Sequence, residues 1–178
     1  MGIKSAMARG LNSILEPGLV LINTTNFSAA SSVSLDDVFS ATYDNYVIKY
    51  SYTGSALSTS DIRLRVNGAD NSAANYERQI MTVNDAATSF VRLTGQTTWI
   101  NVMGHDTTGS FLALIEMHRP FQAAPTSAIT LGVSDGATTI RASNQYYRHT
   151  TSTSFTGFSV LVNSGTITGS ISVYGYNK

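Results

Sequence analysis

The residues through which this chain could do chemistry are three histidines, eleven carboxylates, and short runs of tyrosine and arginine. Nucleophilic catalysis needs a base held beside a hydroxyl, and His105-Asp106-Thr107-Thr108 brings those types together in one run. It lacks the Gly-x-Ser-x-Gly elbow that would hold a serine out of a strand-to-helix turn. With 23 Ser and 22 Thr in the chain, a hydroxyl falls near a histidine by chance, so His105 reads as a hydrogen-bonded loop histidine. His105, His118 and His149 show no His-x-His or His-Glu-x-x-His spacing, and no transition metal is expected. Glycoside hydrolysis needs only two carboxylates at a defined separation. Most carboxylates here sit beside Gly, Asn or Ser in turn-like surroundings. Glu77 and Glu116 alone lie in strand-like stretches, where the expected role is structural, with Glu116 neutralised by Arg119 or Arg92. Gly132-Val-Ser-Asp-Gly136 lacks the lysine and the length of a phosphate loop. No enzymatic activity and no cofactor is expected.

Two further groups suit binding rather than catalysis. Tyr46, Tyr50 and Tyr52 share one strand parity with Ile48, and three phenols on one face could stack on sugar rings. The competing reading makes them wall residues of a sandwich, with hydroxyls reaching solvent or backbone. Arg63 and Arg65 project from one face of an alternating strand and could meet an acidic partner or an anionic glycan. Pairing with Asp or Glu on a neighbouring strand is the alternative.

The elements that carry these residues are strands. Ile167, Ile171 and Val173 share one parity, while Thr166, Thr168, Ser170, Ser172 and Tyr174 share the other, the pattern of a half-buried strand. Phe158, Val160 and Val162 alternate with Ser159, and Asn163-Ser-Gly165 supplies turn chemistry, so the end of the chain reads as a β-hairpin held inside a sheet. Leu19 to Asn23 is a continuous apolar run, as in a strand buried on both faces. Ser110 to Met117 is apolar on both parities and reads as a central strand; Ile129, Leu131 and Val133 mark another. Residues 69–90 are polar, with Tyr76 to Val83 as a strand candidate. The count is nine or ten strands, which predicts an all-β antiparallel sandwich or jelly roll over residues 18–178.

Residues 1–17 differ. Ile3, Met7, Leu11, Ile14 and Leu15 recur every three to four positions, and Pro17-Gly18 closes the segment. That periodicity predicts a short N-terminal arm or helix with one apolar stripe, marginal alone and in need of a surface. The readings are that it packs on its own domain, that it anchors the protein in a larger particle or in its own oligomer, or that it stays disordered.

Composition narrows the partners. Eleven basic residues balance eleven acidic ones, and charged residues are 12% of the chain, well below the roughly 25% of a typical soluble domain. Nothing electrostatic favours nucleic acid or an anionic membrane. The apolar runs fall far short of a membrane-spanning helix, so no membrane insertion is expected. The first residues lack the apolar core of a signal peptide. Without cysteine, disulfides and thiolate metal sites are excluded. The surface should be uncharged and rich in hydroxyls, suited to dense assembly.

The ending Ser164-Gly-Thr-Ile-Thr-Gly-Ser-Ile-Ser-Val-Tyr-Gly-Tyr-Asn-Lys178 resembles the C-termini of small bacteriophage virion proteins of the tail-fibre or structural type, frequent in phages of aquatic bacteria. Gly18-Leu-Val-Leu-Ile22, Ser31-Ser-Val-Ser-Leu35 and Phe39-Ser-Ala-Thr-Tyr-Asp-Asn-Tyr-Val-Ile48 are similar to the same group. The resemblance implies a virion component, assembled in the host cytoplasm with other tail or capsid proteins, and a homo-oligomer, a trimer, since phage fibres and many decoration proteins are threefold. As a tail fibre it would attach through its N-terminal arm and present a host-surface glycan site, with Tyr146, Tyr147, Arg148 and His149 as contact residues. The alternatives are a capsid decoration protein and a free carbohydrate-binding module.

Overall fold

The computed structural model describes residues 18–84, 87–105, 109–135 and 140–177. The arm residues Ile3, Met7, Leu11, Ile14 and Leu15 lie outside them. The described residues form strands throughout, in the order β1 (Leu19–Ala30), β2 (Ser32–Leu35), β3 (Asn45–Gly54), β4 (Ser58–Val66), β5 (Ala69–Asp70), β6 (Tyr76–Asn84), β7 (Ala87–Gln96), β8 (Trp99–His105), β9 (Ser110–His118), β10 (Thr126–Asp135), β11 (Ile140–His149), β12 (Gly157–Val162) and β13 (Ile167–Tyr176). Every pairing is antiparallel. The larger sheet has eight strands in the order β1-β13-β3-β9-β10-β11-β6-β7, and the smaller has β2-β12-β4-β5 with β8 on the free side of β4.

The two sheets close over one hydrophobic cluster. The larger contributes Ile167, Ile171 and Val173 from β13, Tyr46, Ile48, Tyr50 and Tyr52 from β3, and Phe111, Ala113, Ile115 and Met117 from β9. The smaller contributes Val33 and Leu35, Phe158 and Val160, Ile62 and Leu64, and Trp99. Each follows from period-two alternation, and each buried Phe, Leu or Ile adds roughly 1.5–3 kcal/mol. The architecture is the expected all-β sandwich, jelly-roll-like in its layers. Asn67 and Gly68 both take positive φ, 49° and 79°, between β4 and β5, as a two-residue type I′ turn requires.

Two expectations change and one strand candidate is placed. Phe155–Lys178 is not a hairpin: β12 pairs with β2 and β4, whereas β13 pairs with β1 and β3. Phe158 and Val160 on one limb, and Ile167 and Ile171 on the other, all enter the core. They do so from opposite sides, so the limbs form an arch around it instead of pairing. Leu19 to Asn23 is not buried on both faces. It opens β1, an edge strand, where Leu19 is 47% and Leu21 56% exposed. The polar stretch 69–90 holds β5, β6, which contains the candidate strand Tyr76–Val83, and the first four residues of β7; β6 and β7 extend the larger sheet past the smaller one, and no residue of β7 is buried.

Candidate functional site

The tyrosines of β3 point inward. Tyr46, Tyr50 and Tyr52 are buried, with the Tyr50 and Tyr52 rings stacked at 4.3 Å and Tyr52 stacked on Phe111 at 5.3 Å. The Tyr46 hydroxyl accepts from the Ser40 amide at 2.8 Å and lies 2.9 Å from the Ser40 carbonyl. They are wall residues of the sandwich. Arg65 is also structural: it donates to Asp36 at 2.7 Å, to Asp70 at 2.5 Å and to Ser159 at 2.9 Å on the outer face of the small sheet. Arg63 lies 3.6 Å from Asp70. Hydrogen bonding to Asp36 raises the Arg65 pKa, so the guanidinium stays charged. The arginines find their carboxylates within the chain.

The remaining candidates lie on the outer face of the larger sheet, and strand registry divides that face into regions. One row runs Thr24, Ser172, Lys49, Leu114, Leu131, Asn144, Met81, Phe90 from β1 to β7. The next runs Asn26, Ser170, Ser51, Leu112, Val133, Ala142, Val83, Thr88. On β1, β13 and β3 the face is therefore polar and mostly hydroxylic, and Thr24 bonds Ser172 at 3.0 Å. From β9 to β7 it is mainly apolar, interrupted by Asn144 on β11 and Thr88 on β7. Leu112, Leu114, Leu131, Val133, Met81 and Val83 are between 40% and 54% exposed, and Phe90 is 74% exposed. A shallow groove of about 350 Å³ runs among them.

A third row, Leu21, Tyr174, Val47, Glu116, Ile129, Tyr146, Gln79, Arg92, crosses one end of the face. Alternation along β11 splits the four proposed contact residues. Tyr146 and Arg148 point out, whereas Tyr147 and His149 point into the core. Tyr146 is 49% exposed and edges a groove of about 260 Å³ with Glu77, Gln79, Arg92 and Arg148. Arg148 donates to Glu77 through Nη2 at 2.7 Å and Nε at 3.1 Å.

The Tyr147 hydroxyl sits beside Gln145 Oε1 and 3.2 Å from the Ile100 carbonyl, and burial raises its pKa. The His149 ring stands edge-on to Tyr76 at 4.7 Å and to Phe155 at 4.8 Å. Its Nδ1 lies 3.2 Å from the Thr151 hydroxyl and its Nε2 has no partner. Burial lowers its pKa, holding the ring neutral at pH 7.

Glu77 and Glu116 lie on β6 and β9, three strand steps or about 14 Å apart, too wide for the roughly 5–9.5 Å of a glycosidase pair. Glu77 pairs with Arg148, and Glu116 lies 4.0 Å from His118 instead of against the expected Arg119 or Arg92. The His105 side chain and residues 106–108 lie outside the described part of the chain. Among the described residues no three His, Cys, Asp or Glu side chains converge as metal ligands, and no helix is long and apolar enough to cross a membrane.

The apolar field is the feature that sequence reasoning missed. Its signal was present in Ser110 to Met117, apolar on both parities, and in Ile129, Leu131 and Val133, which face outward while Ala128, Thr130 and Ser134 are buried. The fold thus defines an all-β sandwich with a mixed apolar and polar open face. Comparison with protein-family models, curated proteins and solved structures finds no match.

Proposed function

We propose that this chain is a structural component of a bacteriophage particle. In this reading it is a tail-fibre or appendage domain, a homotrimer that attaches to the particle through its N-terminus and presents its large sheet to a host-surface glycan. The observation that supports it is the groove at Tyr146, where a half-exposed aromatic ring meets Arg148, Arg92, Glu77 and Gln79. An aromatic face packs against sugar C–H groups, and a rim of charged and amide groups satisfies hydroxyls. The low charge and hydroxyl-rich composition suit a subunit in a crowded assembly.

A capsid decoration role is the second reading, favoured by the apolar field from Leu112 to Phe90, which suits packing against another subunit. Cryo-electron microscopy of intact particles, with this chain located in the map, separates the two. Density projecting from the tail is expected. Density bridging capsomers would replace the appendage reading with the decoration one, and absence from the particle would overturn both.

A further inference from the structure

We infer that the Tyr146 corner takes an acidic sugar, one that carries a carboxylate, and that Arg92 receives this carboxylate, a refinement that rests on the appendage reading and names its ligand class. The corner sets two guanidinium groups against one carboxylate. Arg148 donates to Glu77 Oε2 through both Nε and Nη2, at 3.1 and 2.7 Å, so Glu77 is taken by one arginine. Arg92 has no hydrogen bond or ion pair to any described residue. Glu116 shares its row but lies four strand steps away, about 19 Å, and bonds the Tyr176 hydroxyl. The outer face of the small sheet shows the balanced arrangement, where Arg63 and Arg65 meet Asp36 and Asp70. In a chain of net charge zero with only 12% charged residues, the unmatched guanidinium beside an exposed ring is a local excess of positive charge. A neutral sugar leaves it without a counter-charge; a sugar carboxylate supplies one.

Strand registry spaces the groups for this task. Tyr146, Gln79 and Arg92 stand in one outward row on β11, β6 and β7, with Tyr146 and Arg92 two strand steps, about 10 Å, apart. Arg148 is two residues from Tyr146 along β11, about 7 Å away. A sugar ring lying on the half-exposed Tyr146 face therefore has the Gln79 amide and Glu77 Oε1 beside it for hydroxyls. Arg92 stands beyond Gln79, placed for a carboxylate on that ring or the next. Its guanidinium is a planar fork that two carboxylate oxygens match in parallel. Arg148 Nη1, which has no partner among the described residues, is a second donor to the anion or to a hydroxyl. No residue of β7 is buried, so Arg92 meets its anion in water. A pair of that kind adds discrimination between sugars more than affinity, and salt weakens it. Stacking on Tyr146 carries the part of the binding that charge does not decide.

The test uses the full chain on an array of glucuronate-, galacturonate- and sialate-containing oligosaccharides, each printed as the free acid and as its methyl ester, with neutral hexose oligosaccharides beside them. Esterification removes the charge and leaves the rings in place. The expected result is that free acids are bound severalfold more than their esters. In Arg92→Gln that preference should fall to near unity, while the weaker binding shared with the esters persists. Tyr146→Ala should lose both. Arg92 and Tyr146 are exposed, and circular dichroism equal to that of the parent chain checks that each variant is folded. Esters or neutral sugars bound as strongly as the acids, or an acid preference that survives in Arg92→Gln, would overturn the inference and leave the appendage reading standing. Binding to no glycan on the array would overturn the inference and the adhesive role together.

Discussion

Across one register row the large sheet passes from Thr24, Ser172 and Lys49 to Leu114, Leu131, Met81 and Phe90 with its hydrogen-bonded ladder unbroken. Between β3 and β9 the ladder and the buried inner face are shared, so there the difference lies in the outward side chains; β7, at the far end, is buried on neither face. The hydroxylic half loses nothing by facing water. The apolar half would gain about 25 cal/mol for each Å² removed from it, and a contiguous apolar patch of this kind marks a contact surface. One half is finished as it stands; the other calls for a cover.

The largest test compares neighbours on β9. Ile115 is 1% exposed inside and Leu114 is 45% exposed outside. Ile115→Ala should cost roughly 2–5 kcal/mol in urea unfolding. Leu114→Ala should cost less, about 1–2 kcal/mol if a partner covers this face. A value within about 0.5 kcal/mol of zero, as at open surface positions, would show that the outer face is bare.

A smaller effect compares the inward and outward residues of β11. His149 is buried and its pKa is lowered from 6.5 by loss of hydration. The unfolded chain therefore takes up a proton there before the folded one does. Stability from this site is full above about pH 6.5 and is lost as pH falls toward the folded pKa, at up to about 1.4 kcal/mol per pH unit. His149→Phe should remove that component from the pH dependence of urea midpoints. An unchanged slope below pH 6.5 would assign the dependence to carboxylates.

Strand existence was legible where one face is buried: Ile167, Ile171 and Val173 are all fully buried as their parity requires. Which face is covered was not legible. On β10 the apolar parity of Ile129, Leu131 and Val133 faces out while Thr130 and Ser134 are buried, because alternation records two faces without saying which one meets the other sheet. The arch between β12 and β13 was missed for a related reason. Asn163-Ser-Gly165 permits a tight reversal, but pairing across it depends on partners more than a hundred residues away, Ser34 with Ser159 among them. The site shows the same limit. Alternation alone separates Tyr146 and Arg148 from Tyr147 and His149, yet only the packing of Tyr76 and Phe155 around His149 decides which pair is inside.

That inversion on β10 predicts a gain. The Thr130 hydroxyl is buried without a hydrogen-bond partner, so Thr130→Val replaces an unsatisfied group with a methyl of similar size and should add about 1 kcal/mol. A rise in Tm checks it; a fall would mean that the hydroxyl is satisfied in solution, for instance by a buried water.

The smallest stability effect belongs to the polar corner of the same face. The Arg148–Glu77 pair has close geometry, but the arginine side chain is 57% exposed. Exposed pairs of this kind contribute about 0–1 kcal/mol and weaken with salt. Arg148→Ala should therefore leave Tm nearly unchanged, and so should Tyr146→Ala. Under the appendage reading both variants should lose binding on a glycan array while circular dichroism and oligomeric state stay as in the parent chain. That separation, full stability with lost binding, is what a built recognition surface produces. Glycan binding retained in both variants would move any adhesion away from this corner and leave the apolar half as the part of the face with a partner to find.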